Sequence, residues 1–191
     1  MPNPTQAGVY TLRRKVLKLF GAAFHVYAPD GSLLGFVKQK AFKLKEDIRV
    51  YTDETASREL LTIQARHVID FSAAYDVVDA RQGAKVGVLR RKGWTSILRD
   101  AWEVLDAEER PVGALREDSA LTAMLRRFLS NLIPQRFHLR DASGASLAVF
   151  RSHFNPFVHR MSVIPEAGSS LDPRLLLATG ILLMAIEGRQ R

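Results

Sequence analysis

Two clusters of cationic side chains are the residues of this chain best suited to chemistry, and that chemistry is recognition of anions. Lys38, Lys40, Lys43, Lys45 and Arg49 are interleaved with apolar residues, and Arg90, Arg91 and Lys92 follow one another directly. Side chains at i and i+2 of a strand share a face, so Lys43, Lys45 and Arg49 would point one way and Phe42, Leu44, Ile48 and Val50 the other. Joined by Lys38, Lys40, Arg90, Arg91 and Lys92, such a face suits the phosphates of anionic lipid headgroups. Each cation near an anionic surface contributes about 1 kcal/mol, and salt screens the attraction. The competing reading is a basic surface that merely keeps the chain in solution.

Other chemistry is poorly represented. There is no G-x-S-x-G elbow, no glycine-rich phosphate loop and no H-E-x-x-H, so neither catalytic residues nor a cofactor are expected. His153 and His159 stand six apart around Pro156 with no third ligand in view, so no metal is expected either. His25, His67 and His138 lie in strand-like runs, where packing and surface roles come first. Trp94 and Trp102 beside the Arg90 to Lys92 cluster would allow stacking on single-stranded nucleic acid, a reading ranked below lipid because no nucleic-acid motif accompanies it.

The 191 residues contain no cysteine, which excludes disulfides and thiolate sites, and carry a net charge of +8. That charge comes in blocks: +6 over residues 1 to 50, −4 over 51 to 80, +6 over 81 to 99, −5 over 100 to 118 and +5 thereafter. The two basic blocks are candidates for a shared face. The opening Met1-Pro2-Asn3-Pro4 lacks the pattern of a signal peptide, so the expected location is cytoplasmic, with peripheral contact at the inner membrane surface. Residues 1–7 are expected to be a tail and 8–191 a single domain.

A hairpin phrase positions these residues. Asp30, Asp53, Asp79, Asp106 and Asp141 each follow a strand-like run and precede another, at intervals of 23, 26, 27 and 35 residues. Each aspartate would open a turn by accepting from an amide two residues on, with Gly31, Gly83 and Gly144 supplying positive φ. Ten strands follow from five hairpins, with one more near Tyr10 to Val16 and one near Phe157 to Ile164, giving about twelve in an antiparallel meander. The long last interval accommodates an amphipathic helix over 118–132, whose Arg126 and Arg127 suit an anionic membrane surface; the competing reading is a helix that covers one open end of the barrel. The chain closes with Leu175 to Ile186, apolar except for Thr179 and Gly180 and opened by the cap Asp172-Pro173. A helix there covers about 18 Å, too short for a bilayer yet without a polar face, so the strands must wrap around it.

The repeated strand-Asp-turn-strand phrase, the opening Tyr10 to Val16, the hairpin Phe24 to Gly31, the strand Trp102 to Asp106 and the helix Asp172 to Glu187 resemble the Tubby C-terminal-like superfamily. Within it the chain is most similar to the LURP-one-related and phospholipid scramblase-related branch. The resemblance implies a closed twelve-strand barrel around a buried C-terminal helix and a non-enzymatic role in binding anionic phospholipid or phosphoinositide headgroups. The chain departs from the scramblase pattern: it has no cysteine-rich segment, and Ile164 to Leu171 offers only Glu166 toward a calcium site. The alternative function is a protein-interaction or regulatory scaffold with no lipid role.

Overall fold

Alternation of apolar and polar residues runs through most of the described strands. The computed structural model describes residues 8–15, 22–39, 47–66, 73–91, 101–117, 135–153, 155 and 158–187. Its strands are β1 (Tyr10–Lys15), β2 (Ala22–Tyr27), β3 (Leu33–Gln39), β4 (Asp47–Tyr51), β5 (Glu59–Ala65) and β6 (Ala74–Asp79). They continue as β7 (Ala84–Arg91), β8 (Ala101–Leu105), β9 (Pro111–Glu117), β10 (Arg136–Arg140), β11 (Ser146–His153) and β12 (Val158–Pro165). Each pairs antiparallel with its neighbours in sequence, and β1 closes the barrel on β12, with Tyr10 opposite Val163 and Lys15 opposite Val158. Closure leaves no unpaired edge. The expected meander of twelve strands is what forms.

All five aspartate turns lie at one pole. Asp30, Asp53, Asp79 and Asp141 each accept from the amide two residues on, at 2.9 Å, while Asp106 accepts at 2.8 Å from the amide of Arg110, four residues on. Gly31, Gly83 and Gly144 have positive φ, as expected; the other two turns place Ala56 (φ 57°) and Glu109 (φ 63°) in that region instead. A register shift sits beside each of the five turns, at Val26/Tyr27, Val50/Tyr51, Val77/Val78, Val104/Leu105 and Leu139/Arg140. Such bulges add twist, and twist lets a sheet of this width curl shut.

The inward positions bury Leu12, Phe24, Val37, Ile48, Leu61, Ile63, Val77, Leu115, Phe150 and Val163 around helix α1 (Pro173–Glu187). Every residue from Leu175 to Ala185 is buried, so the apolar tail is sheathed by the chain's own strands. The helix enters at the aspartate pole. Asp172 caps it by accepting from the Arg174 amide at 2.8 Å, and Arg174 Nη1 reaches Asp79 Oδ2 at 2.8 Å, tying the helix start to β6. Thr179 donates its hydroxyl to the Leu175 carbonyl at 2.8 Å, which satisfies the one polar side chain of the buried stretch. Two glycines allow close approach: a Cβ on Gly180 would lie 2.7 Å from Val163 Cγ2, and one on Gly87 would lie 2.9 Å from both Leu175 methyls. The expected helix over 118–132 lies outside the described residues.

Candidate basic face and anion site

The cations anticipated from the sequence fall into three groups. Lys40, Lys43, Lys45 and Lys92 lie outside the described residues. Lys38 is exposed on β3, with its ammonium 5.7 Å from the centre of the Phe36 ring and 5.6 Å from that of Tyr51. Arg49, on β4, is engaged by carboxylates: its Nε is 3.1 Å from Asp47 Oδ1 and its Nη1 is 2.6 Å from Glu59 Oε1. Asp47, then Glu59, hold its guanidinium above the ordinary arginine range. Arg90 likewise pairs with Glu103 at 2.7 Å, and Arg91 stands half-buried at the end of β7, opposite Trp102. The described parts of the two basic blocks are not adjacent on this side of the barrel, because β5 and β6 separate β4 from β7.

Charge on that side of the barrel is matched. Arg66 bonds Asp76 Oδ1 and Glu109 Oε1, each at 2.6 Å, and the Lys85 ammonium joins Glu109 at 2.5 Å. Arg66, then Lys85, pull the Glu109 carboxyl down to about 2. Strands β2 to β8 together carry five cations and five carboxylates.

The opposite side is different. Strands β9 to β12 and β1 carry eight cations, and their one carboxylate, Glu117, is buried. Nearly all of the protein's net charge of +8 therefore sits on five adjoining strands, which sum to +7. Arg13, Arg116, Arg136, Arg140, Arg151 and Arg160 are exposed on their outer surface, and none makes an ion pair among the described residues. Register sets like charges against each other: Arg13 stands opposite Arg160, and Arg136 opposite Arg151. Such like-charge pairings are destabilising. One cross-strand row reads His25, Arg13, Arg160, His153 across β2, β1, β12 and β11. Burial, then the charges of Arg151 and Arg160, depress the His153 imidazole below its ordinary value.

This arginine face was not anticipated from the sequence, where its members are isolated and far apart. The available signal was that each occupies a polar position in an alternating strand, and only barrel closure and register unite them. Next to Arg13 the surface dips into a hollow of about 270 Å³ lined by Val9, Thr11, Arg13, Tyr27, Pro29 and Arg160. A second hollow, of about 440 Å³, opens at the aspartate pole between Asp106, Glu108, Asp141 and the start of α1.

His153 and His159 stay apart. His159 is buried inside the barrel, whereas His153 faces outward and bonds the Ser162 hydroxyl at 2.8 Å. The described residues contain no group of three side chains placed to hold a metal ion. Trp102 is a core residue stacked at a tilt on Tyr75, with ring centres 5.8 Å apart. No helix among the described residues is long and apolar enough to cross a membrane.

A family model described as LURP-one-related matches residues 33–131, slightly more than half of the chain. No curated protein matches it.

Proposed function

The chain belongs to the LURP-one-related family, a branch of the Tubby C-terminal-like superfamily whose members are generally non-enzymatic, and on that footing we propose that it is a non-enzymatic module docking on anionic phospholipid surfaces. One observation carries the reading: six exposed arginines on adjoining strands, with no exposed carboxylate beside them on those strands. A guanidinium donates two parallel hydrogen bonds to phosphate oxygens, and like charges set opposite each other are relieved when an anionic surface meets them. At about 1 kcal/mol per cation, six acting together contribute about 6 kcal/mol before ordering costs, enough for reversible and salt-sensitive recruitment.

Lys38 extends the face past β2, and Lys40, Lys43 and Lys45, which follow it in sequence, belong to the same proposal with Arg91 and Lys92. Arg49 and Arg90 have less to offer while carboxylates hold them. The apolar helix supports peripheral contact over insertion, because its whole surface is used by the barrel interior. A cytoplasmic location, facing the inner leaflet, is part of the proposal. The competing scaffold reading would use the same face for an acidic protein.

The test is co-sedimentation with vesicles of phosphatidylcholine alone and of phosphatidylcholine mixed with phosphatidylserine. Binding to the mixed vesicles only, reversed by salt and weakened in R116Q/R136Q/R151Q, is the expected result. Equal recovery from both vesicles, or binding unchanged in the triple variant, contradicts it.

A further inference from the structure

We infer that the hollow beside Arg13 is a seat for a phosphomonoester group, the terminal phosphate of a lipid headgroup. The assignment rests on the lipid-facing reading of the arginine face and makes it specific. Val9, Thr11 and Arg13 are successive outward residues of one chain segment, so their side chains line a single track along the barrel wall. Register brings Tyr27 opposite Thr11 and Arg160 opposite Arg13. The lining of the hollow thus includes two arginines that face each other across β1 and β12 and two hydroxyl-bearing residues that face each other across β1 and β2. Neither hydroxyl is hydrogen-bonded to another described residue.

Two features separate this place from the rest of the face. The first is charge density. Arg13 and Arg160 face each other without a carboxylate, and His25 and His153 flank them in the same cross-strand row, His25 bonded to Glu54 at 2.6 Å and His153 to Ser162 at 2.8 Å. A monoester phosphate carries up to two negative charges where a diester carries one, so it gains more from a pair of forks held this close. The second is the lip. Val9 and Leu33, 44 % and 42 % exposed, are the two large apolar side chains left open among the described residues; Val9 lines the hollow and Leu33 stands opposite Tyr27. A cationic floor beside an apolar lip fits an amphiphile, whose phosphate enters while its ester end meets the lip.

The experiment compares vesicles of phosphatidylcholine doped with phosphatidic acid or with phosphatidylserine, matched in surface charge, and adds glycerol 3-phosphate as a soluble probe followed by amide NMR. The wild-type chain should favour phosphatidic acid roughly tenfold, the loss expected for about 1.4 kcal/mol of charge-assisted bonding. R13Q/R160Q should erase that preference and leave phosphatidylserine binding measurable. R116Q/R136Q/R151Q should lower both affinities and keep the ratio. R13K/R160K, which keeps the charge and removes the forks, separates fork recognition from charge alone and should also lose the preference. Equal affinity for the two lipids, or a preference that survives R13Q/R160Q, overturns the seat while leaving the broader face intact.

If no vesicle binds at all, the lipid reading fails and the soluble arm decides the seat by itself. Glycerol 3-phosphate shifting the amides of Thr11, Arg13, Tyr27 and Arg160, and not doing so in R13Q/R160Q, assigns it to a soluble phosphate ester. No shift there removes it.

Discussion

Gly87→Ala probes the seam between helix and barrel. Gly87 lies on β7 where the first turn of α1 crosses the wall, and an added Cβ would overlap the Leu105 carbonyl oxygen and sit 2.9 Å from both methyls of Leu175. Leucine methyls can rotate away, but the carbonyl is part of the β7–β8 ladder and moves only with its strand. Overpacking of this kind costs about 1–3 kcal/mol, and the backbone contact argues for the upper end. Against it stands a gain of up to about 1 kcal/mol from the stiffer unfolded chain. A net loss of about 2 kcal/mol is the expected outcome, read in urea as a lower midpoint at unchanged slope and in heating as a Tm lower by roughly 4–8 °C. Leu175→Ala alone should cost about 2–5 kcal/mol. In the double variant the alanine at 87 no longer meets the leucine, so the pair should cost about 1 kcal/mol less than the sum. A neutral Gly87→Ala, or strict additivity with Leu175→Ala, would refute the close approach of α1 to β7.

Three further outcomes follow from named groups. The Glu109 carboxyl, at about 2 instead of 4.5, binds its proton more weakly folded than unfolded, so its contribution to stability is complete above about 4.5 and is lost as pH falls toward 2. Arg66→Gln should raise that carboxyl's titration in a carbon-detected NMR series and shift the acid unfolding midpoint upward. Ala56, held at φ 57°, pays a left-handed penalty that glycine avoids, so Ala56→Gly should raise stability by about 0.5–1 kcal/mol in urea unfolding. His153, depressed by burial and by Arg151 and Arg160, should regain protons when an anionic surface neutralises those arginines. Vesicle binding should therefore tighten as pH falls below the ordinary histidine range, and His153→Gln should flatten the profile.

What the sequence makes legible here is local or collective, and what it hides is register. The five aspartate turns are readable because an Asx carboxylate finds an amide within its own turn, whatever the rest of the chain does. The buried helix is readable because twelve residues with only Thr179 and Gly180 outside the apolar set leave no face for water. Even there the reading has limits: Ala56 and Glu109 give no sign of positive φ, and Asp106 reaches to residue 110 where the simple rule gives 108. The arginine face was illegible because its parts are joined by pairings such as Arg13 with Arg160, fixed only when β1 closes on β12. Clustered charge conceals its partners in the same way. Arg49 and Arg90 stand out among basic neighbours in sequence, yet the fold sets Glu59 and Glu103 against them.

The most direct test of the arginine face uses vesicles of phosphatidylcholine and phosphatidylserine carrying a nitroxide-labelled lipid, with amide signals of the bound protein read for paramagnetic broadening. Broadening concentrated on β9 to β12 and β1, with β4 to β6 spared and the effect abolished by salt, is the predicted result. Broadening that is uniform around the barrel, or centred on β4 to β6, would contradict it.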